Sequence, residues 1–137
     1  MSRKKILIVD DSASVRRRVT QLLTGAGYEV CEADNGVAGA ERIDAWRPFA
    51  LVICDVHMPV MNGLDLLASV KSDSQHRDLP ILMLTSEVDP ELMQRARETG
   101  ACGWLVKPFT DAQLISTVGK LTHCWIPPES STPPDSC

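Results

Sequence analysis

The sequence predicts an α/β fold, a doubly wound five-stranded parallel sheet with helices on both faces. Three observations carry that expectation. Four short apolar runs do not alternate with polar residues, which suits strands covered on both sides. The segments between them carry apolar residues at helical spacing. Strand and helix then alternate five times along the chain, and right-handed crossovers turn that alternation into an open parallel sheet.

The elements follow in order. Ile6-Leu7-Ile8-Val9 is the first strand. Val15, Val19, Leu22 and Leu23 then fall at i, i+4, i+7 and i+8, and the helix stops at Gly25-Ala26-Gly27. Tyr28-Glu29-Val30-Cys31-Glu32-Ala33 alternates, the pattern of a half-exposed edge strand. Asn35-Gly36 opens a second helix with Val37, Ala40 and Ile43 inward, ending before Pro48. Leu51-Val52-Ile53-Cys54 is the third strand, and Gly63 precedes a helix carrying Leu64, Leu67 and Val70. After the fourth strand, Ile81-Leu82-Met83-Leu84, Pro90 sits where a first helical turn accepts it. That helix carries Leu92 and Ala96 and closes at Gly100. The weaker Trp104-Leu105-Val106 is the fifth strand. Thr110-Asp111-Ala112-Gln113 is a capping-box pattern, followed by Leu114, Val118 and Leu121 at helical spacing. With the alternating second strand at an edge, the expected order is 2-1-3-4-5, the flavodoxin-like arrangement.

A length of 137 residues fits one domain over 1–123 and a short tail. Residues 124–137 hold four prolines and little to bury, and read as a Pro/Ser-rich disordered tail or the start of a linker. Apolar residues make up 44% of the chain and charged residues 23%, enough to fill a core. No run approaches the roughly 18 apolar residues a membrane helix needs, and Asp10 and Asp11 cut the first apolar run too early for a signal peptide. A cytoplasmic location is expected, with no membrane partner. The net charge of −4 gives no footprint for direct nucleic-acid binding. Five cysteines without a Cys-x-x-Cys pair read as reduced thiols.

Ligands of such sheets bind outside the carboxyl ends of the strands. Strand one ends in Asp10-Asp11, strand three in Asp55, strand four in Thr85-Ser86 and strand five in Lys107-Pro108. The intervals 10 to 55, 55 to 85 and 85 to 107 all exceed the roughly 10–12 residues a crossover needs, so these side chains meet on one rim. A lone Asp there is most often a helix cap, and a lone Lys a solvated charge. Three converging carboxylates are different, because they cannot all stay ionised without a cation. Mg²⁺ accepts one or two carboxylates, keeps waters and tolerates phosphate oxygens. With Lys107 as a fixed cation and Thr85 as a hydroxyl donor, the set suits transfer of a phosphoryl group to a carboxylate.

Asp10-Asp11, Asp55-x-x-Met58-Pro59-x-x-x-Gly63, Thr85-Ser86 and Lys107-Pro108 together resemble the receiver domain of bacterial two-component response regulators, of the chemotaxis-regulator-like kind. The match spans roughly residues 3 to 123. The resemblance implies that Asp55 takes a phosphoryl group from a histidine kinase or phosphotransfer protein. It implies Mg²⁺ held by Asp11, Asp55 and the main-chain carbonyl of His57, with Asp10 acting mostly through water. Lys107 would pair with one phosphoryl oxygen and Thr85 would move to hydrogen-bond another. A cis bond between Lys107 and Pro108 is a further expectation.

The same resemblance places a switch aromatic three residues before the lysine, here Trp104, where most relatives carry Tyr, Phe or His. In relatives that aromatic rotates inward into space vacated by the threonine; the larger indole either rotates incompletely or stays at the surface as a binding anchor, and an edge-strand aromatic with no switching role is the plainer alternative. Met93, Arg95, Arg97, Trp104 and Gln113 are the candidates for an output surface formed by helix four, strand five and helix five. Arg16-Arg17-Arg18 is either a docking face for a kinase or a solvated helix face. His57 stands where it would affect the access of water to a phosphorylated Asp55. A downstream effector protein or an attached output domain would complete the pathway, and a homodimer is compatible with the reading.

Two rivals compete with this reading, one with an Asp nucleophile at a strand end and one on the same topology. A haloacid-dehalogenase-type phosphatase wants a second Asp two residues after the nucleophile, where this chain has His57, and a cap insertion, which it lacks. A flavin site wants a phosphate loop after strand one, where two acids would face the phosphate. Within the receiver reading the open alternative is a stand-alone regulator or a receiver cut from a longer chain.

Overall fold

The computed structural model describes residues 4–46, 48–58, 61–86 and 88–123. Among them, β1 (Lys5–Val9), α1 (Ala13–Gly25), β2 (Glu29–Ala33), α2 (Gly36–Trp46), β3 (Leu51–Asp55), α3 (Gly63–Ser72), β4 (Ile81–Thr85), α4 (Pro90–Thr99), β5 (Gly103–Val106) and α5 (Asp111–His123) succeed one another. The strands pair in parallel in the order β2-β1-β3-β4-β5. Fold class, strand order and the edge position of β2 are as the sequence predicts. The tail, 124–137, lies outside the described residues.

The unalternating runs have a direct cause. Every residue of β3 and β4 is buried, because helices cover both faces of the sheet. On one face Leu7, Val9, Val52, Cys54, Ile81 and Met83 meet Leu66, Leu67 and Val70 of α3 and Ala96 of α4. On the other, Ile6, Ile8, Leu51, Ile53, Leu82 and Leu84 meet Val19 and Leu23 of α1 and Leu114 and Val118 of α5. Successive residues of one strand thus serve opposite cores, as the two-residue period requires.

Local signals fix the helix ends. Ser12, Asn62 and Asp89 accept hydrogen bonds from backbone amides of α1, α3 and α4. At α5 the capping box closes both ways: the Gln113 amide donates to Thr110 Oγ1 at 3.1 Å, and Thr110 N–H to Gln113 Oε1 at 2.8 Å. Gly27 and Gly100 close the turns after α1 and α4 at φ of 101° and 120°, where a side chain is strained. Among the described residues no helix is long and apolar enough to cross a membrane.

Two inward stripes differ from the sequence reading. Val37 is 47% exposed, and α2 instead buries Gly36, Gly39 and Ile43. The reason is close approach: a Cβ on Gly39 would lie 3.0 Å from Val9 Cγ2 and 3.3 Å from Leu66 Cδ2, so the glycine row faces the sheet. In α3, Leu66 is fully buried beside Leu67, whereas Leu64 is only partly covered.

Candidate functional site

The carboxyl ends of the strands deliver five side chains to one rim. Asp10 follows β1 and is 0% exposed. Each of its polar groups has a partner. Its N–H donates to Ala33 O at 3.1 Å and its carbonyl accepts from Arg16 Nη1 at 2.5 Å. Oδ1 accepts from the Ser12 amide at 2.9 Å, and Oδ2 from Lys107 Nζ at 2.9 Å. Asp11, the next residue, is exposed.

Asp55 is the last residue of β3 and is 5% exposed. Its Oδ1 accepts from the His57 amide at 3.3 Å, and its Oδ2 stands 3.4 Å from Lys107 Nζ. Carboxylate oxygens of Asp10, Asp11 and Asp55 lie within 4.8 Å of one another. His57 is exposed. Thr85 ends β4, fully buried, and its carbonyl accepts the Lys107 amide at 2.7 Å, which ties the two strand ends together. The Lys107–Pro108 bond is cis.

Gly63 explains how Asp55 is reached. Its amide donates to Val56 O at 2.9 Å, and a Cβ there would run into the main-chain carbonyl of Asp55. The start of α3 therefore lies directly on the backbone of Asp55. The sequence marks this glycine only as part of the motif; the close contact is a tertiary fact.

The electrostatics follow from burial and a shortage of cations. Burial and then the charge of Asp10 push the Asp55 carboxyl above the usual range, against the opposing pull of Lys107 and the His57 amide. Burial lowers Lys107, but its hydrogen bond to Asp10 and the charges of Asp10 and Asp55 outweigh that and hold the ammonium above its usual value. Burial raises the Cys54 thiol beside them far out of its ordinary range, so it is inert. Three carboxylates around one ammonium leave an anionic excess that a divalent cation relieves, and the oxygen-only donor set is the one hard cations prefer.

Away from the rim the candidates divide. Trp104 is partly buried against the α2–α3–α4 side of the sheet, and its indole N–H is enclosed with no acceptor among the described residues. Met93 is half-buried; Arg95 and Arg97 are exposed. Gln113 is exposed too, but its amide is engaged in the α5 cap. The arginine run is not one uniform face. Arg16 binds Asp10 and pairs with Glu32 at 3.3 Å, and Arg18 binds Phe109 O at 2.9 Å and Asp111 at 2.7 Å. Sequence reasoning missed the Arg16–Glu32 pair, since nothing in spacing shows which helix arginine meets an edge-strand acid. It also missed buried His76, whose Nε2 lies 2.8 Å from Asp44 Oδ1 and 3.8 Å from Asp73 Oδ2. That contact clasps α2 to the turn after α3, near the amino ends of the strands.

The family model of the response regulator receiver domain matches residues 6–119. Chemotaxis protein CheY1 of Helicobacter pylori is 43% identical over 107 residues, covering 77% of this chain and 86% of that protein. Chemotaxis protein CheY-3 of Vibrio cholerae is 39% identical over 118 residues, covering 85% of this chain and 90% of that one. Among solved structures, chemotaxis response regulator CheY4 of Vibrio cholerae superposes with a TM-score of 0.83 at 42% identity, covering 88% of this chain and 99% of its own.

Proposed function

The chain belongs to the response regulator receiver family, whose members are phosphoacceptor signalling switches, and on that premise we propose that Asp55 is the residue that takes the phosphoryl group. One observation carries this assignment. Asp55 ends the central strand β3 with both oxygens in long contacts, 3.3 Å from the His57 amide and 3.4 Å from the Lys107 ammonium, while Asp10, its rival, has both oxygens committed at 2.9 Å to Lys107 and the Ser12 amide.

The acidic cluster fits Mg²⁺, which the side chains of Asp11 and Asp55 and the carbonyl of His57 would hold, with Asp10 behind them. When bound, Mg²⁺ supplies charge neutralisation at the phosphoryl oxygens. The chain's own groups do the rest. A carboxylate oxygen of Asp55 forms the new P–O bond as the P–N bond of a phosphohistidine breaks and its electron pair leaves with the imidazole nitrogen. Lys107 balances charge on a phosphoryl oxygen from the position it already holds against Asp55. Thr85 hydrogen-bonds a second oxygen.

The donor is a histidine kinase or a phosphotransfer protein of the cytoplasm. The phosphoryl group adds about 1.5–2 negative charges and strong acceptors at Asp55. Contacts of Thr85 and Lys107 that exist only in that state shift the population of the face formed by α4, β5 and α5. Met93, Arg95, Arg97 and Trp104 on that face meet a downstream effector. Residues 124–137 serve as a tail or linker.

Incubation with Mg²⁺ and acetyl phosphate is expected to raise the intact mass by one phosphoryl group, and Asp55→Asn to abolish the gain. Equal labelling of the variant would overturn the assignment.

A further inference from the structure

We propose that Arg16 is a positioning residue for the acidic site, acting through the main chain of Asp10 and itself held in place by Glu32. The inference rests on the reading of that site as a divalent-cation site.

The Asp10 carbonyl is the group to follow. Asp10 is 0% exposed, so no water reaches it freely, and a buried carbonyl without a donor is costly. Arg16 Nη1 supplies the donor, reaching back from the first turns of α1 to the end of β1 at 2.5 Å. The peptide unit is planar, so fixing this oxygen fixes the plane that carries the Asp11 amide and Cα. Asp11 is the exposed member of the cluster, and no hydrogen bond or ion pair to another described residue holds its side chain. The point from which it extends is therefore set by the peptide that precedes it, and Arg16 holds that peptide.

Arg16 is in turn braced. Its Nε pairs with Glu32 Oε1 at 3.3 Å, and Glu32 Oε2 accepts from the Thr20 hydroxyl at 3.0 Å. The carbonyl of Glu32 accepts from Arg42 Nε at 3.3 Å. Edge strand β2 is thereby tied to both neighbouring helices and, through one guanidinium, to the metal end of β1. A planar fork that donates from two nitrogens at once suits this double contact, which a lysine matches only in part.

The sign of the effect separates positioning from simple charge. A guanidinium near a cation site would repel the cation, so a field-only role predicts that removing Arg16 tightens Mg²⁺ binding. A positioning role predicts the opposite. Calorimetric titration with MgCl₂ is expected to show binding about tenfold weaker in Arg16→Met, the loss typical of a group that orients a ligand. The Mg²⁺ concentration for half-maximal labelling by acetyl phosphate should shift by the same factor. Arg16→Lys should recover part of the loss, and Glu32→Gln should lose less than Arg16→Met. Unchanged or tighter Mg²⁺ binding in Arg16→Met, with wild-type binding intact, would overturn this inference alone. If the wild-type protein itself binds no Mg²⁺, the reading of the site fails and the inference with it. Circular dichroism checks the fold; should Arg16→Met be unfolded, Glu32→Gln decides, and unweakened binding there overturns the proposal.

Discussion

Lys107 and Asp10, 97 positions apart in the chain, are joined by an ammonium–carboxylate contact of 2.9 Å, and the same ammonium stands farther from Asp55, at 3.4 Å. One cation is thus shared unequally between two buried acids. Asp10 has the closer contact and is otherwise saturated. Asp55 keeps the poorer share, and burial and the charge of Asp10 outweigh it, so the Asp55 carboxyl is held above its usual range.

Lys107→Met is expected to destabilise the protein by about 2–3 kcal/mol in urea unfolding at neutral pH, because it strands Asp10 as a buried charge. The figure lies below the full cost of breaking a buried pair, since the Lys107 side chain is 20% exposed. Adding Asp10→Asn should recover most of the loss, and a double variant no better than the single would refute the pairing. The folded state raises Lys107 above its ordinary 10.5, so its contribution is complete below that pH and fades as pH climbs through the folded value.

For Asp55 the sign is reversed. Its carboxyl is raised above the ordinary 3.8 by burial and by Asp10, so the folded protein holds this proton more tightly than the unfolded chain. Ionisation of Asp55 therefore subtracts stability as pH rises through its folded range. Without metal, Asp55→Asn should be more stable than wild type at pH 7, and the gap should vanish at acid pH. Mg²⁺ should then raise the wild-type melting temperature more than that of the variant. A gap that does not depend on pH would contradict this account.

Two glycines give opposite outcomes. Gly63→Ala drives a methyl group into the Asp55 carbonyl and should cost about 3 kcal/mol, the upper end of ordinary substitutions. Gly119, within α5, faces open space, where a Cβ would meet no atom within 4 Å, so Gly119→Ala should stabilise the helix by about 0.5–1 kcal/mol. Equal melting temperatures for the two variants would show that the approach of α3 to Asp55 is not tight.

The Trp104 indole N–H is enclosed with no acceptor among the described residues, a cost of roughly 1–3 kcal/mol to this arrangement. In a Trp46→Phe/Trp125→Phe background, its emission should change on adding Mg²⁺ with beryllofluoride beyond the change from Mg²⁺ alone. A signal blind to the phosphoryl mimic would remove Trp104 from the switch.

Much of the site was legible because it depends on strand ends. Asp10, Asp55, Thr85 and Lys107 each close an apolar run, and a parallel sheet aligns such ends whatever the details of packing. The inward face of α2 was misread because Val37 is apolar and Gly39 is not a usual core marker. The helix sits so close to Val9 and Leu66 that only the glycine row fits. His76 gave no signal, since a single histidine in a polar loop looks the same whether or not a helix carboxylate covers it.

By itself the sequence determined the parallel sheet, its edge strand, the helix caps and the acids that gather at one rim, because hydrophobic period and capping act between residues near in the chain. Only the tertiary structure decided how those acids divide a single ammonium, which arginine grips the Asp10 carbonyl and how close Gly63 brings α3 to Asp55. These depend on distances of a few ångströms between elements far apart in sequence, and charge, hydrogen bonding and steric overlap all change sharply on that scale.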